Sequence, residues 1–247
     1  MSTRTLNALN LVTAVLMAAS LVLVWFFAPI EASMGAVQKI FYFHLGAAWV
    51  GMVGFFVTFV AGIIYLVRPN AKWDRIGAAS AEVGLLLSII ATATGSIWAR
   101  PAWNTWWTWD VRLTTYTITI LIYIAFLFLR GAIEDPARRA RFSAVYGIVG
   151  FISVPLTFLS IRLWQSIHPA VIGTPTPTSQ GGFDMAPIMA VLVVMIQVLS
   201  ALLYITLVAN RYQLLKLQDK VEAQKARAMQ SEADLPTAAP SSVAATK

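Results

Sequence analysis

The sequence predicts an all-α polytopic membrane protein, a bundle of six transmembrane helices with a short tryptophan-rich interfacial helix on the outer face. Three observations predict it. Hydrophobic residues make up 58% of the 247-residue chain and charged residues 12%, where soluble domains carry about 25% charge. Six apolar runs each meet the roughly 20 helical residues that a hydrocarbon core demands. The connections between them also alternate in charge. Arg4, then Arg68, Lys72 and Arg75, then Arg130, Arg138, Arg139 and Arg141, then the basic tail from Arg211 share one side, which holds 14 of the 18 Lys and Arg. Only Lys39, Arg100, Arg112 and Arg162 fall on the other. The positive-inside rule then places both termini in the cytoplasm.

The first span covers about 8–28, too long for a signal-peptide core and led only by Arg4, which reads as an uncleaved anchor. The second covers about 40–67 and opens Ile40-Phe-Tyr-Phe-His44. The third, about 76–98, runs straight into a tryptophan cluster and contains Glu82, an acid for which a structural polar partner inside the bundle is expected. The fourth covers about 113–129, the fifth about 142–163 and the sixth about 185–209. Residues 1–210 thus form the membrane domain and 211–247 a cytoplasmic tail, helical to about 232 and then disordered, since its end is rich in Ala, Pro, Ser and Thr.

Between spans three and four lies Trp98-Ala-Arg-Pro-Ala-Trp103-Asn-Thr-Trp106-Trp107-Thr-Trp109-Asp110-Val-Arg112. Five of the nine tryptophans fall within these twelve residues from Trp98 to Trp109. Pro101 suits the first turn of a helix. From there Trp103, Trp106, Trp107 and Asp110 follow the i, i+3, i+4, i+7 spacing of one helical face. One or two tryptophans would serve as interfacial anchors. Five, with Arg100 and Arg112 beside them, suit a large planar ligand that carries acidic groups.

Both histidines of the chain fall on that outer side, His44 near the start of span two and His168 in the loop after span five. Two neutral imidazoles facing a plane rimmed by tryptophans make a bis-histidine haem site, with Arg112, Arg100 and Lys39 as cations for the propionates. The chain has no cysteine, which excludes disulfide exchange, thiolate catalysis, iron–sulfur clusters, cysteine-held zinc and thioether-linked haem. The net charge of +7 reports topology rather than nucleic-acid binding, because of where the charges stand. No phosphate-binding glycine loop is present, so any ATP hydrolysis falls to other subunits.

The pattern Trp98-x4-Trp103-x2-Trp106-Trp107-x-Trp109-Asp110-x-Arg112 resembles the WWD signature of the haem-handling superfamily of cytochrome c biogenesis. Six spans, with one outer histidine before the signature and one after it, resemble the CcmC family of the bacterial cytochrome c maturation system. The likeness covers residues 36 to 210. That family commonly has glycine where this chain has Asn104, and asparagine tolerates left-handed backbone better than most residues.

The resemblance implies a non-enzymatic role. The protein would bind b-type haem transiently and non-covalently at the periplasmic face of the bacterial inner membrane and deliver it to a membrane-anchored haem chaperone of the CcmE type. His44 and His168 match the family's axial ligands, and Trp98, Trp103, Trp106, Trp107, Trp109, Asp110, Arg112, Lys39 and Arg100 form the shelf and the propionate contacts. ABC-transporter subunits of the CcmA and CcmB type, a small single-span CcmD-type subunit and membrane lipid are the implied partners. Two other functions compete. A haem b electron-transfer subunit would place its histidines within the spans, and a transporter of another aromatic solute would need neither histidine.

Overall fold

The computed structural model describes residues 2–30, 34–168 and 186–233. The loop Gly173–Gly182, whose lack of helical periodicity suits either a cover over a ligand or a plain connection between spans, and the expected disordered tail beyond residue 233 lie outside them. The described residues form α1 (Thr3–Phe27), a 3-10 turn (Ala36–Lys39), α2 (Ile40–Val67), α3 (Ala71–Trp103), α4 (Val111–Ala132), α5 (Pro136–Gly150), α6 (Ser153–Leu163) and α7 (Pro187–Ala233). With α5 and α6 taken as one path, six helical segments are long and apolar enough to cross a membrane. The chain is thus all-α, as the hydrophobic lengths predict.

The helix starts follow capping chemistry. Asn70 accepts a hydrogen bond from the Lys72 N–H at 2.8 Å, and Asp135 accepts one from Arg138 at 2.7 Å with Pro136 beginning α5. At the centre, α2 packs most closely on α3 because small residues let the backbones meet. A Cβ added to Gly54 would stand 2.8 Å from the Gly84 Cα, and one added to Gly84 would stand 2.9 Å from the Gly51 carbonyl oxygen. Around this pair, α7 packs on α2 and α3, α5 on α2 and α4, α6 on α4, and α1 on α7.

Polar contacts tie the apolar helices together, as expected where lipid gives hydrophobicity little to distinguish. Asn10 of α1 and Asn210 of α7 exchange amide hydrogen bonds, and Thr13 meets Thr206 at 2.8 Å. Glu82 has the structural partner expected of it. Arg211 of α7 donates to both of its carboxylate oxygens, one bond measuring 3.0 Å. Arg75–Asp219 at 2.6 Å and Arg130–Asp74 at 2.6 Å add two more ion pairs at the same end of the bundle.

Two elements differ from expectation. The fifth span is broken at Phe151–Ile152, so α5 and α6 replace one helix. Pro155 is the cause: it has no N–H for the Phe151 carbonyl and its ring crowds that residue. The Val154 N–H bonds to the Phe151 carbonyl instead, at 3.0 Å, and the Ser153 hydroxyl bonds to the Gly150 carbonyl at 2.7 Å.

The tryptophan-rich interfacial helix is the second correction. Pro101 lies inside the last turn of α3, which ends at Trp103. Asn104 then turns the chain with φ 54° and ψ 23°, the left-handed conformation its side chain tolerates, and no described residue from 104 to 110 is helical. Asn, Thr and Thr at 104, 105 and 108 are weak helix formers, and Asp110 serves better as the N-cap of α4.

Candidate functional site

At one end of the bundle α2, α3, α4, α6 and α7 diverge around a cavity of about 410 Å³. That falls within the roughly 300–1,000 Å³ of small-molecule and cofactor pockets. His44, His168, Trp98, Trp103, Trp107 and Arg112 line it, although they come from three separate parts of the chain. Trp49, Met52, Tyr116, Phe158, Arg162 and Gln197 complete much of the wall.

His44 is held from behind. Its Nδ1 lies 2.9 Å from the Ala91 carbonyl oxygen, an acceptor only, so Nδ1 carries the proton and Nε2 keeps its lone pair. The Thr94 hydroxyl lies 3.4 Å from the same Nδ1. Gly95 makes the arrangement fit: a Cβ there would stand 2.8 Å from the His44 Cε1 and 3.1 Å from Nδ1. A neutral imidazole oriented by a backbone carbonyl is how metal-ligating histidines are commonly prepared.

His168 is held by a clasp that begins at Asp110. One Asp110 oxygen accepts the Arg112 N–H at 3.1 Å, capping α4, and the Ser166 hydroxyl at 2.7 Å. The other oxygen accepts the Ile167 N–H at 3.1 Å. Ser166 in turn accepts the His168 N–H at 3.1 Å, and the His168 ring meets Trp103 edge-on at 6.2 Å. Trp103 stands perpendicular to Trp98 at 5.5 Å, so an aromatic chain runs from the buried end of α3 to the second histidine.

The predicted shelf therefore divides. Trp98, Trp103 and Trp107 line the cavity. Trp106 and Trp109 do not; they are 58% and 74% exposed. Trp107 touches Trp109 edge-on at 5.9 Å, joining the two groups. Asp110 does not line the cavity, and its bond to Arg112 goes to the main chain rather than the guanidinium.

The cations divide too. Arg112 lines the cavity with its guanidinium 5.5 Å from the Phe158 ring centre, and among the described residues no carboxylate forms an ion pair with it. Lys39 turns away: its ammonium donates to the Trp25 carbonyl at the end of α1 and lies over that residue's ring. Arg100 donates to the Asn104 carbonyl at 2.6 Å and lies over Trp106. Both are spent on local structure, stabilising helix ends where partial negative charge gathers. Sequence reasoning missed Gly95, Tyr116 and Gln197. A lone glycine at the outer end of an apolar helix that also carries Trp98 was the available signal.

The profile of the family described as Heme exporter protein C matches residues 1–227. The Heme exporter protein C of Bradyrhizobium diazoefficiens is 33% identical over 181 residues, 73% of this chain and 67% of that protein. That of Rhodobacter capsulatus is 36% identical over 149 residues, 59% of this chain and 62% of the relative. That of Escherichia coli K12 is 32% identical over 142 residues, 58% of either chain. The aligned segments thus span about three-fifths to two-thirds of these curated relatives.

Proposed function

This chain belongs to the heme exporter protein C family, and from that premise we propose that it holds haem between His44 and His168 and hands it on for cytochrome c maturation. One observation carries the reading. Histidines 124 positions apart in sequence line one cavity, walled by four tryptophans and holding a half-buried guanidinium that forms no salt bridge among the described residues. Haem would bring an iron that an imidazole on each face could hold, a macrocycle that would suit indole faces and edges, and carboxylates that would suit Arg112. A bare metal ion fits less well, since no cluster of three or more His, Cys, Asp or Glu is found among the described residues.

The chain's own residues supply binding and orientation, not bond-making. His44, locked as the Nδ1–H tautomer, presents Nε2 from the α2–α3 side. His168 approaches on the Asp110–Ser166 clasp. Arg112, beside Phe158, would hold a propionate, and Trp107 would pack against the macrocycle. Trp106 and Trp109 face outward and form the contact surface for a membrane-anchored haem chaperone. The positive-inside asymmetry supports this end lying at the periplasmic face of the inner membrane, with both termini in the cytoplasm. ATP-binding-cassette subunits and a small single-span protein complete the assembly and carry any ATP hydrolysis.

The division among the tryptophans gives a direct test. Trp107→Ala is expected to weaken haem retention about ten- to a hundredfold, as loss of a central aromatic contact does. Trp109→Ala is expected to retain haem but slow its appearance on the chaperone. Haem titration of the purified variants and a transfer assay separate the two effects. Equal haem loss in both variants would return Trp109 to the binding wall.

A further inference from the structure

One side of the cavity is walled by α2 and α6, two helices that scarcely pack on each other. In the inner half of the bundle α5 packs on α2, and Phe151 at its end stacks on Phe59 at 4.7 Å. Beyond the break at Phe151–Ile152 the chain swings away, and α6 packs on α4 instead. Among the described residues α2 and α6 thus share no extensive packed seam beyond the Phe59–Phe151 stack, which leaves a wedge between them. Trp49 of α2 and Leu159 of α6 both line the cavity and are 44% and 50% exposed. One described ring contact crosses the wedge there, Trp49 against Phe158, edge-on at 6.3 Å.

We propose that this wedge is a lateral portal, gated by Trp49 and Phe158, through which a planar amphiphile dissolved in the bilayer reaches the cavity; with the reading above as its premise, that amphiphile is haem. The chemistry of the rim favours it. Trp49, Phe158 and Leu159 carry no charge, so the apolar macrocycle crosses them without stripping water from a charged side chain. Arg112 lies directly behind Phe158, 5.5 Å from its ring, where it meets the carboxylate of a molecule passing the gate. Rotation of two side chains is enough to open the contact, since no hydrogen bond or ion pair joins these residues across the wedge.

The chain has no cysteine, so a single engineered pair can be linked without side reactions. Trp49→Cys with Phe158→Cys is joined by a bismaleimide containing a reducible disulfide. The linked full-length protein is placed either in vesicles whose bilayer already contains haem or in amphipol with albumin-bound haem. The low-spin haem absorption reports loading. Linking is expected to slow loading from the bilayer about tenfold or more, reduction of the linker to restore it, and loading from albumin to proceed equally in both forms. Equal bilayer loading with and without the link overturns the portal, as does an equal slowing from both donors. An unlinked protein that takes haem from neither donor removes the reading of the site itself, and the portal with it.

Discussion

Replacing Asp110 with alanine is expected to convert a six-coordinate haem complex into one ligated by His44 alone. Asp110 touches no part of the cavity, yet its two oxygens hold the start of α4 and the segment before His168 together. Loss of an N-cap costs about 1 kcal/mol. Each hydrogen bond to a charged acceptor adds about 1.5–3 kcal/mol. One cap and two such bonds sum to about 4–7 kcal/mol, and solvation of the freed groups brings the net loss in the local clasp to about 2–4 kcal/mol, enough to release His168 while the α2–α3 seat of His44 stays intact.

Asp110→Asn separates the two roles. Asparagine caps a helix as well as aspartate does, but its amide NH₂ would face the Ile167 N–H, donor against donor. Normal α4 stability with a high-spin haem spectrum in this variant marks Asp110 as a positioning residue. A low-spin spectrum in Asp110→Ala would show that His168 is held by other means.

Gly95→Ala tests the other ligand, and helix stability and haem binding are expected to move in opposite directions. Alanine improves a helix interior by about 1 kcal/mol over glycine. The new methyl would nevertheless stand 2.8 Å from the His44 Cε1, closer than van der Waals contact permits. The imidazole must rotate or leave, which breaks the Nδ1 bond to the Ala91 carbonyl. The expected result is a thermal midpoint in detergent equal to or above that of the wild type, with haem affinity reduced about tenfold or more. A variant that keeps wild-type haem affinity would show that the imidazole seat tolerates displacement, and the account of His44 as oriented by the Ala91 carbonyl would fail.

The spans were legible because apolar length is a nearly one-dimensional signal, set by bilayer thickness and helical rise. The break in the fifth was legible in principle too, since Pro155 names Phe151 as the carbonyl it leaves behind. The tryptophan segment was misread because a four-position spacing outweighed the turn chemistry of Asn104 and the capping preference of Asp110. Of the site, His44, His168, Trp98, Trp103, Trp107 and Arg112 could be found by residue type and side of the membrane, and the fold gathers all six.

The remainder depends on tertiary contact. Lys39 shares a side with the cavity in the sequence, but the end of α1 offers its Trp25 carbonyl first. Gly95 is defined by a ring belonging to another helix, and Gln197 enters the wall only because α7 packs beside α2 and α3. No local pattern carries such information.

The most direct test of the bis-histidine cavity is the absorption spectrum of the detergent-purified protein beside His44→Ala, His168→Ala and the double variant, each expressed with haem supplied. A six-coordinate low-spin spectrum in the wild type, high-spin spectra in the single variants and loss of haem from the double variant are predicted. A haem-free wild type, or a spectrum that the substitutions leave unchanged, would contradict the assignment.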